Sequence, residues 1–219
     1  MKRQLSVMSL LLGAAILITS CGNRNESKDG ATDGNETSAG ISDVVKGVSN
    51  LDNLTDGAKK MEELQTKLKS EKPLSSEELK AFLPESLDGL KRTSYSAGSM
   101  YGVSVVSGDA TYTVDDQKNI KISIIDGAGE TASAVVGLAQ MGFMVDSENI
   151  TDTEVEKTGD FEGKRAKTTD NKGVEGSTPK SSEISYLEKD RYLITLRGNG
   201  YSLDELKAFM GKLNVSALK

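Results

Sequence analysis

Ser182-Glu183-Ile184-Ser185-Tyr186-Leu187-Glu188 and Arg191-Tyr192-Leu193-Ile194-Thr195-Leu196-Arg197, joined by Lys189-Asp190, decide the fold. Both runs are rich in β-branched and aromatic side chains and are separated only by a short polar turn, so they read as an antiparallel hairpin. Gly198-Asn199-Gly200 ends the sheet. Ser202-Leu203-Asp204-Glu205 is a capping box that opens a helix, with both acids in the turn where the helix dipole favours them. Leu203, Leu206, Met210 and Leu213 then form a buried stripe with Phe209 beside it.

The same alternation recurs upstream. Tyr101, Val103 and Val105, in a strand spanning 94–107, and Tyr112 and Val114, in one spanning 110–114, precede the polar loop 115–119. Ile120-Lys121-Ile122-Ser123-Ile124 follows, and these runs predict a hairpin with one buried face. Asp126-Gly127-Ala128-Gly129-Glu130 leads into a small-residue helix over 131–141. Further strands are expected at 151–158 and 163–169, turning near Gly159-Asp160, before the loop 171–180. On the N-terminal side, Ser75-Ser76-Glu77-Glu78 is a second capping box, starting a short helix that Pro84 stops. Phe82 to Arg92 is a compact turn whose apolar side chains enter the core. The succession helix, strands, helix, strands, helix is that of an α+β domain, a mostly antiparallel sheet covered by helices, over residues 73–219.

Ahead of Pro73, Ile41, Val44, Val45, Val48, Leu51, Leu54, Ala58, Met61, Leu64 and Leu68 recur at helical spacing. Residues 41–72 therefore read as an amphipathic helical segment, one helix or two broken near Asn53–Asp56. Its stripe either packs on its own domain or binds a protein partner through 41–68. Gly22 to Gly40 holds no large apolar side chain and is expected to be disordered. A coil of that length spans about 24 Å, a tether over residues 21–40.

At the start, Lys2 and Arg3 precede an apolar run from Leu5 to Ile18 of about 14 residues, short of the roughly 20 that cross a bilayer. Ile18-Thr19-Ser20-Cys21 closes it, and Cys21 is the only cysteine. A charged start, a short apolar stretch and small residues before a cut site describe an export signal over residues 1–20. The stretch resembles the lipobox of bacterial lipoproteins, and that resemblance implies cleavage before Cys21 and lipidation of its thiol. Lipobox, tether, the FLPESLDGLKR entry, Asp126-Gly127-Ala128-Gly129 and the closing RYLITLRGNGYSLDELKAF are together similar to a group of envelope lipoproteins of unknown function. The implied location is the cell envelope, lipid-anchored, at the outer membrane facing the periplasm. Surface display is the alternative, although Glu26, Asp29, Asp33 and Glu36 are scattered and form no block behind the cysteine.

Composition narrows the chemistry. Of 27 basic and 33 acidic residues, Lys2 and Arg3 leave with the signal, so the net charge moves from −6 to −8. Such a chain is a poor nucleic-acid ligand, because neutralising phosphates supplies most of that affinity. There is no histidine, which excludes a Ser-His-Asp or Cys-His triad and a His-bearing zinc site. Carboxylates remain: Asp115 with Asp116, Asp126 with Glu130, and Asp152, Glu154 and Glu156 on one strand face, any of which is a candidate for calcium or acid–base work. Asp126 and Glu130 are the weak metal candidates among them. Asp126-Gly127-Ala128-Gly129-Glu130-Thr131-Ala132 has the spacing of a dinucleotide-binding turn, against a competing reading as a turn that satisfies its own backbone. Arg191, Arg197, Lys164 and Arg165 form a basic patch if their strands are neighbours, or else solvated charges on sheet edges. The expectation is a non-catalytic binding or structural module with no cofactor. A carrier or sensor of a small hydrophobic ligand, with a pocket between the sheet and helix 131–141, is the alternative, followed by a carboxylate enzyme or calcium module.

Overall fold

The computed structural model describes residues 59–99, 104–176 and 179–219. The signal, Cys21, the tether and the apolar stripe from Ile41 to Ala58 lie outside these residues. Helix α1 occupies 59–70, and α2 (Ser76–Phe82) follows. Strands β1 (Ser86–Leu87), β2 (Leu90–Ser99), β3 (Val106–Asp115) and β4 (Lys118–Asp126) precede α3 (Glu130–Met144). Then come β5 (Ser147–Ile150), β6 (Glu154–Phe161), β7 (Lys164–Asn171), β8 (Ser181–Glu188), β9 (Tyr192–Asn199), α4 (Leu203–Met210) and a 3-10 turn at Val215–Ala217.

The strands form one sheet in the order β1-β2-β3-β4-β9-β8-β7-β6-β5, antiparallel throughout. Two meanders, β1 to β4 and β5 to β9, are linked through α3 and meet where β9 pairs with β4. The α+β class with a mostly antiparallel, helix-covered sheet is therefore observed.

Register puts the apolar side chains on one face. Gly108, Ile124, Ile194, Tyr186 and Ala166 stand in one cross-strand row, and Ala110, Ile122, Leu196 and Ile184 in the next. Helices α2 and α4 and the C-terminal turn cover this face, with Leu79, Phe82, Leu83, Leu206 and Leu218 fully or almost fully buried against it. Each fully buried Ile or Leu there contributes on the order of 1.5–3 kcal/mol. The opposite face alternates in kind: Asp109, Ser123, Thr195, Ser185, Lys167 and Thr158 make one row. Helix α3 lies against β4, β6, β7 and β9.

Both capping boxes are present. Ser75 Oγ accepts from Glu78 N while Glu78 Oε2 accepts from Ser75 N, and Ser202 and Glu205 repeat the pattern. Three connections carry two consecutive residues at positive φ: Asp88-Gly89 (50° and 83°), Glu162-Gly163 (54° and 72°) and Lys189-Asp190 (both 54°). That twist matches the right-handed twist of the flanking strands.

Several boundaries differ from expectation. The β6–β7 turn falls at Glu162-Gly163 and not at Gly159-Asp160, because Glu162-Gly163 supplies the positive-φ pair a two-residue connection needs. Helix α3 runs through Gly142 to Met144 instead of stopping at Met141. Strand β5 was not anticipated: all four of its residues are exposed at the sheet edge, so no apolar alternation marks it. Leu213 is buried as expected but lies beyond the end of α4.

Candidate functional site

The residues singled out around Asp126 meet in a clamp. Asp126 ends β4 and is fully buried. Its Oδ1 accepts from Arg191 Nε at 2.7 Å and Ala128 N at 3.0 Å. Its Oδ2 accepts from Leu74 N at 2.7 Å and Arg191 Nη2 at 3.0 Å. Arg191 also pairs through Nη1 with Glu71 Oε2 at 2.5 Å, donates from Nη2 to Lys72 O at 2.8 Å, and stacks 4.9 Å from the Tyr192 ring centroid. Burial works against the guanidinium charge, but hydrogen bonding to Asp126 and its field more than offset this and raise the Arg191 pKa. Burial likewise pushes the Tyr192 phenol up to about 12, against the opposing pull of Arg191.

Arg191 is thus neither part of a basic patch nor a solvated edge charge. It belongs to the β8–β9 turn, where Arg191 N donates to Glu188 O, and its side chain turns into the interior. That corrects both sequence readings. The remaining three cations are dispersed among partners of their own. Arg197 pairs with Glu183 and Lys164 with Glu188. Arg165 donates to Phe143 O from Nε and Nη2 and pairs with Asp146, so it caps the C-terminus of α3, where a cation is favoured.

The glycine turn after β4 spends its N–H groups within the protein. Gly127 N donates to Arg191 O at 3.0 Å, Gly129 N to Leu68 O at 2.9 Å, and Ala128 N to Asp126. A nucleotide phosphate would need those donors free, and β4 has antiparallel neighbours on both sides. The turn instead holds α1 and the β8–β9 connection together. Asp126 has no oxygen free for a metal, and Glu130 is exposed on the first turn of α3.

The other carboxylates are dispersed too. Asp115 Oδ1 accepts from Gln117 N and Lys118 N, closing the β3–β4 turn. Glu154 accepts from Asn171 Nδ2, Glu156 pairs with Lys167, and Asp152 precedes the strand in an exposed turn. Among the described residues no three carboxylates converge on a common point.

Among the described residues, two open surfaces bear on these readings. The polar sheet face presents hydroxyls and paired charges: Ser123 Oγ donates to Asp109, Ser185 Oγ and Thr195 Oγ1 lie 2.9 Å apart, and Lys121 pairs with Asp109. On the apolar face, a cleft of about 610 Å³ lies between α4 with the following residues and β7–β8, lined by Lys164, Tyr186, Glu188, Met210, Leu213 and Val215. The N-terminal half of α3 packs tightly, with Ala132 and Val136 fully buried and a Cβ added at Gly127 lying 2.8 Å from Val136 Cγ2, while its C-terminal half leaves a smaller cleft of about 290 Å³ against β7 and β8, lined by Gln140, Phe143, Met144, Arg165 and Leu187.

Sequence reasoning missed Glu71 and Leu74 as partners of Asp126. The only signal available was an acidic residue at the end of an apolar strand, which is unusual in a core unless it is paired. Comparison with protein-family models, with curated proteins and with solved structures finds no match to this chain.

Proposed function

We propose that this chain is a lipid-anchored lipoprotein of the bacterial envelope, a non-catalytic module held at the outer membrane on the periplasmic side and binding another envelope protein. The observation that carries it is the short apolar run ending in Ile18-Thr19-Ser20-Cys21, with Cys21 the sole cysteine. Acyl chains contribute about 0.8 kcal/mol per buried CH₂, and two or more anchor stably where one does not. Among the described residues no helix is long and apolar enough to cross a membrane. The non-catalytic reading draws support from the candidate groups themselves: Asp126 and Arg191 are committed to the clamp, Asp115 closes the β3–β4 turn, Glu154 accepts from Asn171, and Glu156 faces Lys167. The polar sheet face is the surface we assign to the partner.

Replacing Cys21 with Ser is expected to move the protein from the membrane fraction to the soluble fraction of lysed cells and to abolish incorporation of labelled palmitate. Persistence of the variant in the membrane fraction overturns the anchor. Crosslinking in intact cells, read by mass spectrometry, should then give a recurrent neighbour attached through the polar sheet face. The alternative, a carrier of a small hydrophobic ligand, has one favourable feature in the cleft beside Met210, Leu213 and Val215. Native mass spectrometry of the purified chain with a bound lipid would favour the carrier.

A further inference from the structure

Helix α3 carries apolar side chains on two sides. Ala132, Val136 and Phe143 are buried against the rest of the domain. Leu138, Met141, Met144 and Val145, three or four residues apart along and just past its last two turns, stay exposed at 70%, 52%, 56% and 67%. Seven large apolar side chains are exposed among the described residues, and four of them meet at this one helix end. Apolar side chains scattered singly over a surface need no explanation, but a contiguous patch marks a surface that something apolar covers.

Helix α1 shows where the rest of the chain arrives. Leu68 O accepts from Gly129 N at the start of α3, and the Gln65 side chain lies over Gly137 further along it. The two helices therefore run antiparallel. Lys59, six residues before Gln65, stands about 9 Å further on, level with the last turn of α3. Met61 and Leu64, on the same side of α1 as Gln65 and Leu68, are only half-buried, so α1 passes this end of α3 without closing over it. The chain that leads back to Cys21 is thus attached at the end of the domain that carries the patch. Residues 22–58 lie between Cys21 and Lys59, and a coil of that length spans about 33 Å, enough to let this end of the domain reach a bilayer that holds Cys21.

We propose that Leu138, Met141, Met144 and Val145 rest in the headgroup boundary of a zwitterionic phospholipid bilayer, so that the domain lies with the C-terminal end of α3 on the membrane. Delivery to that bilayer rests on the lipid anchor proposed for Cys21. Four side chains are few against the roughly 20–30 residues a side of a stable protein interface, so a second copy of this chain is a poor occupant. On a membrane few suffice. An anchor on the same chain makes the contact intramolecular, at an effective concentration on the order of millimolar, and every apolar group that enters the headgroup boundary adds to it. The chain is acidic, −6 over its whole length, so an anionic leaflet would repel it and the attraction is apolar. None of the four side chains belongs to the polar sheet face, which stays open to a protein partner.

The chain contains no tryptophan, so Met141→Trp places a single reporter in the patch. Asp116→Trp places one in the exposed β3–β4 turn, at the opposite end of β4 from α3. Each full-length variant is coupled through its Cys21 thiol to a maleimide lipid in phosphatidylcholine vesicles, which supplies the anchor whether or not cells lipidate Cys21. Met141→Trp is expected to show a blue-shifted emission, quenched by phosphatidylcholine with brominated chains and unchanged in high salt, while Asp116→Trp emits as in water. Adding Leu138→Asp and Val145→Asp to Met141→Trp should abolish the shift and the quenching. A reporter at 141 that emits as in water on the vesicles overturns the membrane contact and leaves the native anchor, read by palmitate incorporation, untouched. Equal quenching at 141 and 116 overturns it as well. A blue shift that needs no vesicles and grows with protein concentration overturns it in favour of a second copy, and a shift confined to anionic vesicles overturns it in favour of charge-driven binding. Should Met141→Trp fold poorly, Val145→Trp reads the same patch.

Discussion

Arg191 and Asp126 show how one ion pair can carry the joining of three distant segments. The guanidinium reaches Glu71, Lys72 and Asp126 at once, and the carboxylate accepts from Leu74 N and Ala128 N as well. A buried pair adds little net stability over a hydrophobic replacement, but breaking it by removing one partner leaves a buried charge and costs about 3–5 kcal/mol. Asp126→Asn keeps the shape, removes the charge, and turns one acceptor into a donor facing Leu74 N–H or the Arg191 guanidinium. It is expected to lower unfolding stability by about 3 kcal/mol in urea titration with an unchanged m-value. A loss well under 1 kcal/mol would mean that water or Glu71 replaces the carboxylate. The capping serines were legible in the sequence because their partners are three residues away. The clamp was not, because Arg191 finds its partners 65, 119 and 120 residues earlier in the chain, and nothing local distinguishes it from an edge arginine.

At the scale of elements, strands with one buried face were readable and strands without one were not. Ile120, Ile122 and Ile124 alternate because β4 packs one face on the core. Ser147–Ile150 pairs only with β6 at the edge and shows no pattern. The loss of Gly159-Asp160 as a turn has the same origin, since position 159 is extended in β6 while the positive φ sits at Glu162-Gly163. The glycines around α3 give a sharper contrast. A Cβ at Gly127 would lie 2.8 Å from Arg191 O and from Val136 Cγ2, and backbone cannot move aside cheaply, whereas a Cβ at Gly142 would meet nothing within 4 Å. Gly127→Ala is therefore expected to destabilise by about 1–3 kcal/mol as an overpacked substitution. Gly142→Ala should stabilise by about 0.5–1 kcal/mol, from helix propensity and a less free unfolded chain. Both are read as midpoint shifts in denaturant, and a common sign for the two would contradict the way α3 is seated.

For the whole molecule, the two meanders join through the β4–β9 pairing, the Asp126–Arg191 clamp at its end and the helices laid across it, so the pieces that fasten helix ends to the sheet bear on how the domain comes apart. Two of those fastenings are carboxylates with cations beside them. The Glu205 carboxyl is held down to about 2, first by Lys180, then by Ser202 N–H and Lys118. Glu78 is likewise held at about 2, first by Lys219 and then by Ser75 N–H. Each folded pKa is depressed, so the stabilisation is fully present above the ordinary carboxylate value of 4.5 and is lost as pH falls from there toward 2. The Glu205 side chain is 39% open to solvent and that of Glu78 20%, and the first cation beside each, Lys180 and Lys219, is more open still, which keeps each contribution modest. Their effect still appears together, because Glu205 ties the start of α4 to Lys118 on β4 and Lys180 beside β8, while Glu78 ties α2 to the C-terminal Lys219. The melting temperature is expected to be level above pH 5 and to fall between pH 4.5 and 2. Glu205→Gln should lower the plateau and flatten part of that fall, since the neutral amide has no proton to gain. It should also reduce sensitivity to salt, which screens exposed pairs. If the variant keeps the parent's full slope across this window, the acid response arises elsewhere. The two caps would then be local fittings that do not fasten α2 and α4 to the sheet.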